Sequence, residues 1–589
     1  MSFKCNLNGF LKSVFLTLSL SSILSFSASA SSAEVKKNVS SPWWKEAVFY
    51  EIYIRSFNDS DGDGVGDLNG ITSKLDYLKN MGVDAILLTP HYASPNVDNG
   101  YDVSDYRNVM KEYGSLSDFD RLIAEMKKRN MRLMIDIVVN HTSDQHPWFV
   151  ESSKSKDNYY RDFYIWKEGK AGNPPTTDMS SFGGSMWELS PKTGQYYFHT
   201  FSKHQPDINW DNENVKQAVY RDIKFWLDKG VAGLRFDAIA DFVKPYDTVD
   251  QFRKYKSETV EKVVDPRVHA YVKELNKKVF SGRDIATAAE VWRTPSEEVS
   301  LFTDPKRKEL NFAFIFDAIF VGRKSVWEAK PWSLIDLKSA IDHVDKITGK
   351  NGWGAFFLTN HDNARQISHF GNDTPEWRNV SAKALATLNL TQRATPFIYQ
   401  GDEIGMTNSS FPDINSFDDV QLKGYWKDLV DTRKVDAEYF MKNARMTNRD
   451  NSRTPFQWSP EHNAGFSTGT PWLRVNDNYK EINASSQIDD PKSVYNYYKS
   501  LIAIRKSAPA LISGEYRDLD PGNVKVYAYT RSLEDEKYLV LINMSESDVR
   551  YVIPENIKLK KIIIQNLDNP EFSESHVSLR PWQASIYKI

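Results

Sequence analysis

From residue 43 onward, short apolar runs alternate with stretches whose apolar positions recur at helical spacing. "AVFYEIYI" at 47–54 is followed by "GITSKLDYLKNMG" at 70–82, and "DAILLTP" at 84–90 by "LSDFDRLIAEMKKRN" at 116–130. "MRLMIDIVVNH" at 131–141 comes next, and "VKQAVYRDIKFWLDKG" at 215–230 leads into "VAGLRFDAI" at 231–239. The short runs predict strands and the longer stretches helices. Their alternation predicts βα units with parallel pairing. Four more runs, "DIATAAEV", "NFAFIFDA", "GAFFLTN" and "TPFIYQG", bring the strands to eight. Eight strands with intervening helices predict a closed (β/α)8 TIM barrel, an α/β fold. The competing open, doubly wound sheet usually carries a glycine-rich phosphate loop after its first strand, and none follows here.

The spacing is uneven. The segment between "VVNH" and the helix at 215 is rich in Gly, Pro, Ser, Trp and Tyr. It is too long for a plain loop and predicts a small inserted domain at 141–210. A second long insertion follows "IYQGDEIGM" and runs to about residue 490. Beyond 512 the pattern changes to short runs: "VKVYAYTRS", "KYLVLINM", "RYVIP", "KKIIIQN", "ASIYKI". These predict an all-β sandwich at 512–589, after a barrel at 43–140 and 211–511.

The N-terminus follows a different pattern. Lys4 and Lys12 precede and enter an apolar stretch that ends in Ala28-Ser29-Ala30, which predicts a cleaved signal peptide over 1–30. The stretch is short and serine-rich for a membrane span; an uncleaved anchor is the alternative reading. The single cysteine, Cys5, lies ahead of the apolar core, so the mature chain would have no thiol, disulfide or Cys metal site. That suits a periplasmic or secreted protein. A net charge of −3 gives no reason to expect a nucleic-acid or membrane partner. Aromatics make up 13% of the chain; most must be core, but flat faces also suit sugars.

Chemistry enters through charges placed where a buried strand should have none. "GLRFDAIA" at 233–240 holds Arg235 and Asp237 inside an apolar run, and buried charges are rare unless paired or working. In a barrel, working residues stand at the C-terminal ends of strands. Those ends here are Asn140-His141, Arg235-Phe236-Asp237, Glu290 and Asn360-His361-Asp362, with Asp98–Asp102 in the loop after strand two. Any one of these polar residues could be structural; several together on separate strands point to a site. Paired carboxyls on neighbouring strands suit retaining glycoside hydrolysis, one as nucleophile and one as acid/base. Arg235 and Asp237, two apart, face the same side, so the cation is expected to hold the nucleophile's pKa down.

A second pattern is "NDSDGDGVGD" at 58–67. Asp59, Asp61, Asp63 and Asp67 alternate with small turn residues, which resembles a calcium loop without the bidentate Glu of an EF-hand. Magnesium, or an acidic turn with no ion, are the alternatives.

These motifs resemble the α-amylase family (glycoside hydrolase family 13), most closely its oligo-1,6-glucosidase and sucrose isomerase branch. "DIVVNH", "GLRFDAI", "AAEVW", "TNHDN" and "QPDINW" match the family's signatures, and "NGYDVSDY" and "RDNSRTPFQW" match the branch. The resemblance runs from residue 42 to the end. It implies Asp237 as nucleophile, Glu290 as acid/base and Asp362 as transition-state stabiliser. It implies that His141, His361 and Arg365 bind the glucosyl ring, that Arg235 supports the nucleophile, and that Asp102 clamps the 4- and 6-hydroxyls. The site would be a closed pocket for one terminal glucose. The acidic loop would bind Ca2+ through Asp59, Asp61, Asp63, Asp67 and the Val65 carbonyl. A small α-glucoside is the only partner expected, and the chain is expected to be a monomer.

One stretch departs from the branch. Sucrose isomerases typically carry Arg-Leu-Asp-Arg-Asp after strand six to hold fructose. Here the stretch is Phe320-Val321-Gly322-Arg323-Lys324. A weaker grip on fructose would let water take the glucosyl group. Hydrolysis of short α-glucosides such as trehalulose and isomaltulose is therefore expected, with sucrose isomerase as the alternative. A non-catalytic relative would have lost the acids, and all are present.

Overall fold

All eight predicted runs form strands, and they close into one parallel barrel. In the computed structural model they are β1 (Phe49–Ile52), β2 (Ala85–Leu88), β3 (Arg132–Val138), β4 (Gly233–Asp237), β5 (Ala286–Glu290), β6 (Phe312–Phe314), β7 (Gly354–Phe356) and β8 (Thr395–Tyr399). Each strand pairs with its neighbours in sequence, and β8 returns to β1. The structure describes residues 41–244, 264–568, 571–573 and 575–589. The expected signal peptide lies outside them. Residues 42–589 form one unit by their contacts, and no helix among the described residues is long and apolar enough to cross a membrane.

The strands are mainly apolar because both their faces are covered. Side chains on one face fill the lower barrel: Phe49, Phe312, Phe314 and Phe397 with Met134 and Leu87. Their rings meet at 4.7 Å (Phe49–Phe397) and 4.6 Å (Phe314–Phe397). The small Ala286 and Ala288 of β5 leave room for them. The opposite face packs against amphipathic helices. In Leu116–Lys128, Phe119, Leu122, Ile123 and Met126 are buried, and Ser115 with Asp118 makes a capping box at the N-terminus. The helix Glu213–Lys229 ends on Gly230 in the left-handed region (φ 106°).

Between β3 and that helix, strands Trp166–Glu168, Gln195–Phe198 and Trp187–Leu189 form a small antiparallel sheet. The segment after β8 carries short helices, among them Val420–Tyr425, Ala437–Thr447 and Asp450–Arg453. The C-terminal region holds a five-stranded and a three-stranded antiparallel sheet. In its strand Val526–Leu533 the alternation divides two cores. Val526 and Ala528 face the β domain's own interior, whereas Tyr527 and Tyr529 join the core beneath the barrel.

Candidate active site

The register of the sheet brings the predicted charges together. Asp136 on β3 lies directly beside Arg235 on β4. Arg235 Nη1 donates to Asp136 Oδ2 at 2.7 Å and to Asp237 Oδ1 at 2.9 Å, and Nη2 reaches Glu290 Oε1 at 2.5 Å. Three carboxyls therefore share one guanidinium whose side chain is 4% exposed. One cation does not offset three buried anions, which works against full ionisation of the cluster. Burial pushes the Asp237 carboxyl well above the usual range, Glu290 adds to the push, and Arg235 opposes it. The expected lowering of Asp237 by Arg235 is thus present but outweighed. A pair of carboxyls with one proton between them is the starting state of retaining chemistry, in which one group attacks and the other protonates.

Glu290 Oε2 also accepts the Ala238 N–H at 2.8 Å. Ala238 has a φ of 45°, a strained backbone for a residue with a Cβ, and such strain gathers at functional sites.

Across the pocket, Asp362 is ionised. Burial works against its charge, but His361, Arg449 and Arg453 together hold it well below the usual range. Arg453 Nη2 donates to its Oδ1 at 2.8 Å and Arg449 Nη1 at 3.1 Å, while His361 Nε2 stands 3.3 Å from Oδ2. His141 lines the pocket and has the opposite character: burial lowers it to about 4, so it is neutral. Its ring is fixed by Asn140, by Gln205 and by the Tyr101 carbonyl, each at 3.1 Å. Asn140 is held in turn by Lys244, which pairs with buried Asp207 at 2.9 Å and so ties the inserted domain to the barrel rim.

Asp102, Arg365 and His361, all expected to bind the ring, do not line the pocket. The Asp102 carboxylate accepts the N–H groups of Val97 and Asp98 at 2.9 Å each and closes its own loop. The carboxyl of this loop that lines the pocket is Asp98. Arg365 is fully buried and donates to the carbonyls of Gln400, Asn451 and Ser452. It joins backbone segments behind the site and does not line the pocket. The pocket cation that meets these carboxyls is Arg449, whose guanidinium lies 2.8 Å from Asp98, 2.8 Å from Asp419 and 3.1 Å from Asp362. Asp98 and Arg449 thus join across the pocket lining. Arg449, Arg453, Asp419 and Gln205 are not singled out by the sequence analysis, although "RDNSRTPFQW" and "QPDINW" contain three of them; Asp98 is noted there in its loop but given no role. His361 and Arg235 stand behind the pocket wall and support the groups that line it.

Outward from the carboxyls the walls turn aromatic, with Phe182, Phe201, Trp292, Phe320 and Trp327. Phe320 and Arg323 line both this pocket and a wider outer one, where Lys324 also stands. The Gly322 backbone is left-handed (φ 83°), and a Cβ there would meet Trp332 at 2.7 Å. That position can carry no side chain toward an acceptor.

In the acidic loop, Asp59, Asp61 and Asp67 each bring a carboxylate oxygen within 4.8 Å of the others. Asp63 is not in the group; its Oδ1 accepts the Val65 N–H at 2.8 Å. The left-handed Gly64 (φ 94°) lets the loop press on residue 470, whose carbonyl a Cβ would meet at 1.9 Å.

Acid pairs held at strand ends, opposite an ionised aspartate in an aromatic-walled pocket, define an enzyme that cleaves or transfers glycosidic bonds. The chain belongs to the α-amylase family. Residues 51–514 match the α-amylase catalytic domain, and residues 526–586 match the C-terminal domain of the α-amylase SusG. The oligo-1,6-glucosidase of Parageobacillus thermoglucosidasius is 46% identical, over 93% of this chain and 99% of the relative. A mutant isomaltulose synthase from Erwinia rhapontici NX5, solved with its natural substrate sucrose, is 55% identical. It covers 93% of this chain and 99% of its own, with a TM-score of 0.90. The trehalulose synthase of Pseudomonas mesoacidophila is 52% identical, covering 93% of this chain and 100% of its own, also with a TM-score of 0.90.

Proposed function

We propose that this chain is a retaining α-glucosidase that hydrolyses short α-glucosides, with trehalulose and isomaltulose as its substrates. The observation that carries the reading is the pair Asp237 and Glu290 on one guanidinium, in a pocket that Asp98 and Arg449 also line. Asp237 attacks the anomeric carbon and Glu290 protonates the departing oxygen. Glu290, now ionised, then takes a proton from the water that releases glucose. Asp362, ionised and fixed by two arginines, accepts hydrogen bonds from ring hydroxyls and counters the charge that develops on the ring.

The preference for water as acceptor rests on residues 320–324. Val321 packs against the core and Gly322 has no room for a side chain. Arg323 is buried over the Phe320 ring, donates to the Val326 carbonyl, and is lowered to about 10 by burial. Phe320 offers fructose a flat face but no hydrogen bond. The second reading, isomerisation of sucrose, draws on the higher identity to isomaltulose and trehalulose synthases than to the oligo-1,6-glucosidase.

Separate incubations with sucrose, trehalulose and isomaltulose, followed by product separation, divide the two. Free glucose from the isomers, with sucrose left intact, is expected. Conversion of sucrose into its isomers would replace the first reading by the second.

We also propose that the loop 58–67 holds Ca2+. Asp59, Asp61 and Asp67 supply hard oxygen donors of the kind this ion takes. Asp63 is raised by burial, and the charges of Asp61, Asp59 and Asp67 add to it, a repulsion that a divalent cation would relieve. Calcium would tie the loop to the segment at 466–472, which already bonds to Asp59 through Ser467 and to Gly64 through Trp472. Removing calcium with a chelator is expected to lower the melting temperature, and added calcium to restore it. At one hundred times Kd the bound ion is worth about 2.7 kcal/mol. A melting temperature indifferent to both would leave the loop a plain acidic turn.

A further inference from the structure

Beneath Asp362 the end of β1 places a second buried carboxyl against the same histidine. Glu51 is 2% exposed and its Oε1 lies 2.5 Å from His361 Nδ1. The same oxygen accepts the His361 backbone N–H at 3.3 Å. The other ring nitrogen, Nε2, faces the Tyr101 hydroxyl at 2.6 Å and Asp362 Oδ2 at 3.3 Å. Tyr101 has one hydroxyl proton, and it donates that proton to Asp136 Oδ2 at 2.9 Å.

With Asp136 ionised, counting protons fixes the state of the ring. Asp136 Oδ2 then accepts from both Arg235 Nη1 and the Tyr101 hydroxyl. Nε2 must then donate to the Tyr101 oxygen. Nδ1 faces a carboxylate oxygen and must donate as well. Both nitrogens carry a proton only in the imidazolium.

We propose that Glu51 is a positioning residue that keeps His361 doubly protonated and, through it, orients Asp362 and Tyr101 in the active site. The chain of hydrogen bonds runs from Glu51 through His361, Tyr101 and Asp136 to Arg235. It thereby links the wall that grips the sugar ring to the guanidinium that carries Asp237 and Glu290. The groups facing the ring are Glu51 from β1, Tyr101 from the loop after β2, Asp136 from β3 and Asp362 beside it in the chain. Arg453 donates to the His361 carbonyl at 2.8 Å, and Arg449 stands beyond Asp362. Burial opposes the charge on His361, yet Asp362 and Glu51 raise it to about 10. With glutamine in place of Glu51, Nδ1 keeps a hydrogen-bonding partner of the same shape and loses the charge that demands its proton.

The test reads His361 directly and so does not depend on which glucosyl transfer the enzyme performs. Only its kinetic arm rests on the proposed function. In 15N-histidine NMR of the wild type, assigned with His361→Gln, both ring nitrogens are expected to be protonated at about pH 8, well above the ordinary histidine value near 6.5. In Glu51→Gln the ring is expected to titrate lower by about one unit or more. The KM of that variant, unlike the wild type's, should then climb as the pH is raised above neutrality. A singly protonated ring in the wild type at that pH overturns the proposal, whether or not the variant folds. So does a Glu51→Gln variant in which the His361 titration is unmoved and KM stays as flat with pH as in the wild type.

Discussion

Replacing Asp237 with asparagine is expected to lower kcat by about 10⁴-fold or more while leaving the chain folded and no less stable. The loss follows from the chemistry: an amide oxygen of the same shape does not form the glucosyl ester. The retained stability follows from the charges. Arg235 keeps two of its three carboxyl partners, Asp136 and Glu290, and the amide still accepts from Nη1. A carboxyl whose folded pKa is raised by burial and a like charge, as Asp237's is, favours the fold in acid. That contribution is lost as the pH rises from the ordinary carboxylate range through the folded value. At neutral pH the wild type carries this deficit, and the asparagine variant does not. Its melting temperature at neutral pH should equal or exceed that of the wild type, a trade of stability for function found at many active sites. Assays on an aryl α-glucoside with parallel melts check both parts. Turnover within about tenfold of the wild type would move the nucleophile elsewhere. Glu290→Gln gives a separate signature: with a leaving group that needs no proton, a burst of released phenol should precede a stalled second step.

The barrel was legible from sequence because its strands are covered on both faces, so each reads as a mainly apolar run broken only by a few charges. The same physics hid the strands that are half exposed. Glu515–Asp518 reads "EYRD" and alternates between exposed and half-buried positions, so it has no apolar signature. Strand His576–Leu579 lies on the smaller sheet, is only four residues long and alternates between half-buried and buried positions. Asp237 and Glu290 were found because each ends a barrel strand, and His141 and Asp362 because they follow closely on β3 and β7.

The residues missed come from loops, where spacing does not tell direction. Asp98 and Asp102 flank a turn made by Asn99 (φ 51°) and Gly100 (φ 94°). That turn aims the first carboxyl into the pocket and folds the second back on the loop's own amides. Arg365 lies three residues beyond Asp362 and directly precedes the helix Gln366–Phe370, so a motif-based assignment places it near the site while its guanidinium points behind. Arg449 directly precedes the short helix Asp450–Arg453, far in sequence from every strand end. No periodicity marks it. The signal that could have found it is the pair of arginines four apart in "RDNSR", amid carboxyls that need a cation.

Arg449 therefore carries the second large expectation. Arg449→Met should abolish measurable activity and destabilise the fold by about 3–5 kcal/mol, the cost of leaving buried carboxylates without their cation. Asp98, Asp419 and Asp362 all meet this one side chain, whose exposure is 8%. Arg453 offsets only part of the loss, since its closest contact among them is Asp362 at 2.8 Å. Burial already raises Asp98, with Arg449 opposing, and Asp419 is lowered against burial chiefly by Arg449. Without the arginine both carboxyls rise. A raised folded value adds stability in acid and takes it away as the pH climbs. The gap in melting temperature between wild type and variant should therefore widen from about pH 4 toward neutrality and narrow again in acid. Asp419→Asn added to Arg449→Met should return part of the stability by removing one orphaned charge, yet none of the activity, because Asp98 and Asp362 would still lack the fork that spaces them around a sugar. Arg449→Lys should fall between the two, since one ammonium does not reach three carboxyls in fixed directions. A methionine variant as stable as the wild type across this range would mean that the three carboxyls hold their protons without Arg449. The clamp around Asp362 would then rest on Arg453 and His361 alone.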